Sequence, residues 1–79
     1  MKEESREYVM NTLATMVVQD RAETEQRPFT QVFSEFRKSA TYEELFDPDT
    51  GLWMNGPDYI SEEYDLELKR DRLSIDNNR

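Results

Sequence analysis

The chain has 79 residues, of which 35% are hydrophobic, and it carries 18 acidic against 10 basic residues, for a formal net charge of -8 at pH 7. A chain of this length forms one small domain, and its acidity disfavours direct binding to nucleic acid or to an anionic membrane, since both attract basic surfaces. Cysteine and histidine are both absent, so disulfides and the usual thiolate and imidazole zinc sites cannot form.

The first predicted helix covers about residues 3–23. Its apolar residues recur at the spacing of one helical face. These residues are Tyr8, Val9, Leu13, Met16 and Val17. The polar run at residues 22–27 interrupts the pattern ahead of Pro28, and helices usually stop before the residue that precedes a proline.

A second helix is predicted over about residues 28–38, because Pro28 suits a first helical turn and apolar residues again repeat at helical spacing. A short third helix is predicted to begin at Thr41, which forms the T-x-x-E pattern of a capping box with Glu44. The apolar positions of these two helices are Phe29, Val32, Phe33, Phe36, Tyr42, Leu45 and Phe46.

Turn-forming residues occupy positions 47–51 and 55–57, and the apolar cluster at 52–54 lies between them. One isolated extended segment is the alternative for that cluster. A fourth helix is predicted over about residues 57–72, with a proline in its first turn and basic residues at its end. Its apolar positions are Tyr59, Ile60, Tyr64, Leu66 and Leu68.

These elements predict an all-α fold, a small bundle of three main helices plus one short helix and a tryptophan-containing loop. The domain is expected to span residues 1–73, and residues 74–79 are expected to form a frayed tail. The predicted core consists of Leu13, Val17, Phe29, Phe33, Phe36, Leu45, Phe46, Trp53, Ile60 and Tyr64.

One short motif is similar to a calcium-binding loop, since Asp47, Asp49 and Gly51 alternate as D-x-D-x-G. An EF-hand places its glycine sixth and a bidentate glutamate twelfth, whereas here the glycine is fifth and Asp58 is twelfth. The preferred interpretation is a structural turn.

Adjacent carboxylates at 43–44 and 62–63 could serve in acid–base catalysis only inside a cleft that shifts their pKa values. Neighbouring residues on a helix point about a quarter turn apart, so solvated helix faces are the preferred interpretation. No Ser–His or Cys–His pair can form, and the two glycines make no phosphate-binding loop. The sequence therefore predicts no catalytic residue, cofactor, metal or small-molecule substrate.

The most informative segment lies between Lys38 and Lys69, thirty residues with no basic side chain, nine carboxylates and five large aromatic residues. Such a surface suits a basic protein groove, because charge steers the encounter and desolvated rings supply affinity. The alternative is that these carboxylates form a solubilising exterior. Trp53 is assigned to the core, and a role as a binding anchor is its alternative. The candidate partner-binding residues are Glu43, Glu44, Asp58, Tyr59, Glu62, Glu63 and Asp65.

The segment at residues 39–59, SATYEELFDPDTGLWMNGPDY, resembles small uncharacterised bacterial helical proteins with the pattern S-x-T-Y-x-x-L-x-D, then T-G-L-W, then P-x-Y. The resemblance covers roughly a quarter of the chain. Such proteins are associated with toxin–antitoxin or mobile-element modules, so the resemblance implies an antitoxin-like protein but no particular site. The matching positions are Ser39, Thr41, Tyr42, Leu45, Asp47, Thr50, Gly51, Leu52, Trp53, Pro57 and Tyr59.

The sequence thus favours a non-enzymatic interaction module whose acidic, aromatic second half docks on a basic protein partner. A homo-oligomeric structural or regulatory protein and a nucleic-acid mimic are the alternatives, and an enzyme would need a cleft with a perturbed carboxylate. No apolar run approaches the roughly 20 residues that span a bilayer, and no signal-peptide core follows the charged start MKEESRE. A cytoplasmic location is therefore expected.

Overall fold

The computed structural model describes the backbone of residues 3–77 and the side chains of residues 5–71. Within residues 3–77 the chain forms four helices, two 3₁₀ turns and no strand, which confirms the predicted all-α fold. The elements are α1 (Glu3–Glu25), α2 (Phe29–Arg37), α3 (Ala40–Leu45), the 3₁₀ turns Pro48–Thr50 and Leu52–Met54, and α4 (Pro57–Asn77).

A left-handed residue closes the last turn of α1 after Glu25. Gln26 has a φ of 54°, its N–H donates to the Glu23 carbonyl at 3.3 Å, and the Arg27 N–H donates to the Ala22 carbonyl at 3.0 Å. These two bonds form a Schellman motif and satisfy carbonyls that a helix end leaves unpaired. The predicted polar break therefore begins too early, since Ala22 is helical and buried.

The buried face of α1 is rotated from the predicted stripe. Leu13 and Val17 are buried as predicted, but Tyr8 is 74% exposed and Met16 is 46% exposed. The reason is that α1 packs against both α2 and α4, so it buries a wider face that includes small side chains. The buried residues that the stripe missed are Met10, Ala14, Val18 and Ala22.

In α2 the core side chains are Val32 and Phe36, both almost fully buried, while Phe33 is only partly buried. Phe29 is 39% exposed, so its predicted place in the core is wrong. Val32 and Phe36 lie one turn apart at the centre of the buried face, which leaves Phe29 and Phe33 on its flank, with ring centroids 5.8 Å apart.

Aromatic rings join α2, α3 and α4 at the centre of the domain. The fully buried ring of Phe36 meets Tyr42 edge-on at 5.6 Å and Tyr64 at 4.9 Å between centroids. Such edge-to-face pairs add to the stabilisation from burial alone. Leu45 and Ile60, both predicted core residues, are fully buried in the same cluster. Burial of Tyr64 also raises the pKa of its hydroxyl.

The loop between α3 and α4 forms the predicted turn. The Asp47 carboxylate accepts the Asp49 N–H at 3.0 Å, and Gly51 has a φ of 73°, which glycine adopts without strain. Trp53 packs on the edge of the core, only partly buried, and its Nε1–H donates a long 3.4 Å bond to the Pro48 carbonyl. Trp53 therefore covers the core from outside, as does the partly buried Phe46.

α4 continues to Asn77, beyond its predicted end at residue 72. The frayed tail at 74–79 stays a prediction, and residues 78–79 lie outside the described residues. Pro57 shares a groove with Met16 near the middle of α1, and later residues of α4 contact later residues of α1. The two helices therefore run parallel, which sets the first turns of α4 beside the outer face of α1.

Candidate partner-binding surface

The seven predicted partner-binding residues lie on two helices. Glu43 and Glu44 are exposed on α3, and the other five are on α4, where Glu63 is half-buried and the rest are exposed. The seven side chains are therefore at least partly exposed, and they belong to two separate helices.

The outward face of α4 carries a row of carboxylates. Ile60 and Tyr64 point into the core, so Asp58, Glu62 and Asp65, at i, i+4 and i+7, lie on the opposite side. Seven residues of helix span about 10 Å, close to the screening length of about 8 Å at physiological ionic strength. A cationic group approaching this row therefore feels all three charges together.

Asp65, however, already has a partner within the fold. Its carboxylate binds the Arg21 guanidinium at 2.5 Å, and Arg21 also pairs with Glu25 at 2.9 Å. The Arg21 side chain is only 13% exposed, and its guanidinium lies 4.8 Å from the ring centroid of Tyr64. Asp65 thus holds α4 against α1, and its charge is partly compensated before any partner arrives.

These contacts continue into a chain of ion pairs. Arg27 binds Glu25 at 3.0 Å and also binds Glu35 on α2. The hydrogen bond between Arg27 and Glu35 raises the pKa of Arg27 and lowers that of Glu35. Alternating charges thereby link Asp65, Arg21, Glu25, Arg27 and Glu35 across α4, α1 and α2. Because the Arg27 and Glu35 side chains are 31% and 49% exposed, solvent screens this pair and it contributes little to stability.

Glu67 caps the N-terminus of α3 from α4. Its carboxylate accepts the Ala40 N–H at 2.9 Å, the Thr41 N–H at 2.8 Å and the Thr41 hydroxyl at 2.7 Å. Partial burial acts to raise the pKa of Glu67, but these hydrogen bonds together outweigh it and lower the pKa below its ordinary value. A helix N-terminus has unpaired N–H groups and a positive dipole end, which is why a carboxylate binds there.

The predicted capping box at Thr41 and Glu44 is consequently wrong. Ser39 is the N-cap residue, and its side-chain oxygen accepts the Tyr42 N–H at 3.1 Å. Thr41 lies inside the helix, 3% exposed, with its hydroxyl on Glu67. Ser39 rather than Thr41 is the N-cap residue, because the extended backbone of Ser39 lets its hydroxyl accept an N–H of the first helical turn.

The charges of the acidic segment therefore divide into two kinds. Asp47, Asp65 and Glu67 hold the turn, α1 and α3 in place. The other six carboxylates form no ion pair or side-chain hydrogen bond with another described residue. They are Glu43, Glu44, Asp49, Asp58, Glu62 and Glu63.

Within the described residues, no group of three or more acidic side chains is placed to hold a metal ion. None of the helices in residues 3–77 combines the length and the apolar character needed to cross a bilayer. Comparison of the chain with protein-family models, curated proteins and solved structures returned no match.

Proposed function

We propose that this protein is a non-enzymatic interaction module that presents the acidic, aromatic face of α4 to a basic protein partner. The observation that supports this most directly is the pair Asp58 and Glu62, one helical turn apart, exposed, and without an ion pair to any described side chain. Charges that the fold does not use are available to another molecule.

An apolar component lies beside these charges. Tyr59 is 47% exposed and Leu66 is 54% exposed, seven residues apart on one side of α4. Carboxylates at the edge of an interface mainly accelerate association, whereas a tyrosine that becomes buried supplies affinity. The combination suits a partner surface with basic residues around an apolar centre.

The resemblance of residues 39–59 to small uncharacterised bacterial proteins associated with toxin–antitoxin or mobile-element modules supports an antitoxin-like role within this proposal. The partner would then be a basic protein that the acidic surface covers, in a cytoplasmic setting and with no cofactor. Self-association is the second candidate, because α4 exposes both Leu66 and Leu68. Sedimentation of the purified protein across a concentration series distinguishes these two possibilities.

The test begins with affinity capture of the partner from the native cell and continues with its association rate at increasing salt. Two variants with equal charge change are compared. The α4 set is Asp58→Asn, Glu62→Gln and Glu63→Gln, and the matched control set is Glu7→Gln, Glu23→Gln and Asp49→Asn. Asp65 is left intact because it holds Arg21.

We expect the α4 set to slow association several-fold at low salt, and the difference to shrink as salt screens the charges. Both variants should melt close to the temperature of the parent protein, because none of the replaced carboxylates forms an ion pair with another described residue and solvent-accessible carboxylates contribute little to stability. Equal slowing by both sets would mean that only net charge matters. A salt-independent complex unaffected by either set would contradict the proposal.

A further inference from the structure

A groove lies between α1 and the first turn of α4. It has a volume of about 200 Å³ and is lined by Met16, Val17, Asp20, Pro57, Asp58 and Ser61. Three of the six lining residues, Met16, Val17 and Pro57, are apolar, and Met16 is 46% exposed. The exposed side chains of Asp20 and Asp58 supply two carboxylates beside them. Small-molecule pockets usually measure about 300–1,000 Å³, so this groove has the size of one long side chain.

The groove continues onto the outer face of α1. A second depression of about 300 Å³ is lined by Tyr8, Asn11, Thr12, Thr15 and Met16, so Met16 belongs to both. The amide of Asn11 donates to the Glu7 carbonyl and the hydroxyl of Thr15 donates to the Asn11 carbonyl, each at 2.9 Å. These bonds satisfy one donor of Asn11 and the donor of Thr15, so a partner that covers the depression leaves fewer polar groups unpaired.

The dimensions of this surface match a short helix. Tyr8 and Asp20 are twelve residues apart on α1, or about 18 Å, which is the length of a partner helix of roughly three turns. Its apolar surface is at the Tyr8 end and the middle, and its carboxylates are at the other end. Amphipathic helices bind in such grooves through apolar anchors at helical spacing.

Charge identifies the class of occupant. Among residues 5–71, no basic side chain lines either depression. The nearby Arg21 guanidinium, 3.5 Å from the Ser61 hydroxyl, is already paired with Asp65 and Glu25. The whole chain has a net charge of -8, so a second copy of this protein meets net repulsion. A lysine or arginine can lay its aliphatic stem along Met16 and Pro57 while its charged group reaches Asp20 and Asp58.

We propose that the groove between α1 and α4 binds a basic amphipathic helix of a partner protein, with apolar residues on Tyr8 and Met16 and a cationic side chain between Asp20 and Asp58. This inference rests on the proposed function and deepens it. Asp58 belongs both to the acidic face of α4 and to the groove, so the partner contacts two helices rather than one.

The probe is a synthetic 14-residue peptide with leucine and lysine at helical spacing, titrated into the isotopically labelled protein and followed by NMR. The matched control peptide carries glutamate in place of lysine. We expect saturable shifts of the amides of Met16, Asp20, Asp58 and Ser61 with the lysine peptide alone. Sedimentation of the protein without peptide, across a concentration series, should show a monomer.

A comparison of two double variants shows whether the peptide binds in the groove or elsewhere on the acidic surface. The double variant Asp20→Asn with Met16→Gln should weaken peptide binding about tenfold or more, whereas Glu23→Gln with Asp49→Asn should leave it unchanged. All four side chains are exposed, so the melting temperature should stay constant in both variants.

Several results would overturn the inference. Shifts confined to Glu43, Glu44 and Glu62 would move the binding site off the groove and leave the proposed function intact. Groove amides that shift with protein concentration alone would make a second copy the occupant, and an absence of saturable binding would remove the site. A reduced α4 set with only Glu62→Gln and Glu63→Gln, without Asp58→Asn, leaves the groove lining unaltered. The partner's association rate with this reduced set therefore tests the proposed function separately.

Discussion

Replacing Glu67 by alanine tests the contact that fixes α3 on α4. The change removes three hydrogen bonds, two from the backbone at Ala40 and Thr41 and one from the Thr41 hydroxyl. It also leaves that hydroxyl without its acceptor at a residue that is 3% exposed. The loss therefore combines an uncapped helix with an unsatisfied polar group in the interior.

Each hydrogen bond to a charged group contributes about 1.5–3 kcal/mol, but three bonds to one half-buried carboxylate are not additive, and water replaces part of them. A helix cap contributes about 0.5–2 kcal/mol. We expect a total loss of about 2–3 kcal/mol, a large part of the roughly 4–12 kcal/mol typical of a domain this size. The melting temperature should fall by about 10–20 °C.

The assay is thermal unfolding followed by circular dichroism, with Glu62→Ala as the matched control, since Glu62 lies on the same helix and its exposed carboxylate forms no ion pair with a described residue. The control should change stability by less than about 0.5 kcal/mol. If Glu67→Ala melts within a few degrees of Glu62→Ala, the cap does not stabilise the fold.

The same contact predicts a pH dependence. The pKa of Glu67 is lowered from its ordinary value of 4.5 in the folded protein, so its stabilisation is fully present above about pH 4.5 and is lost as the pH falls through the folded pKa. The stability difference between the parent protein and Glu67→Gln should therefore be larger at pH 6 than at pH 3. A difference that grows on acidification would refute the assignment.

Four further changes have expected outcomes. Trp53→Ala should lower the free energy of unfolding by about 1.5–3 kcal/mol in urea, less than the 3–5 kcal/mol typical of full burial, and an unchanged midpoint would support the alternative role as a binding anchor. Gln26→Gly should raise stability by about 0.5–1 kcal/mol because glycine accepts the left-handed conformation, and a loss would argue against the cap. Arg21→Ala should lower stability by about 1–3 kcal/mol and Arg21→Met by less, since methionine keeps the packing; equal losses would assign the whole effect to charge. Millimolar calcium or EDTA should leave the melting temperature unchanged, and a calcium-dependent rise of several degrees would restore the turn at 47–51 as a metal site.

Periodicity predicted where helices form better than which way they face. Phe36, Leu45 and Ile60 were assigned to the core correctly. The centre of the buried face was misplaced in α1 and α2, because a repeat of three or four residues defines a stripe but not the neighbours that cover it. Tyr8 and Phe29 illustrate the error: each extends an apolar stripe, yet Tyr8 is 74% exposed and Phe29 is 39% exposed.

The spacing of Glu67 and Arg21 from buried residues in the sequence indicates that both side chains contact the fold. Glu67 lies three residues after Tyr64 and seven after Ile60, at a core position of α4, and Arg21 similarly continues the buried face of α1 four residues after Val17. A charged residue at a core position is expected to have a partner. The sequence does not identify the partner, because the bonded residues are far apart in the chain. Glu67 and Thr41 are 26 positions apart, and Arg21 and Asp65 are 44 positions apart.

Whether a carboxylate of the acidic segment contacts the fold depends on its position on the helix. A carboxylate at a core position of its helix bonds to the fold, as Glu67 does, whereas a carboxylate on the outer face finds an intramolecular partner only where a neighbouring helix supplies a cation, as Arg21 does for Asp65. Asp58 faces the same neighbour, α1, at a level where α1 offers Met16 and Asp20 rather than a base. Among the side chains that the structure describes, the lining of the groove between α1 and α4 therefore holds two carboxylates and no basic group, which is why a cation from another protein is the chemistry that we propose for it.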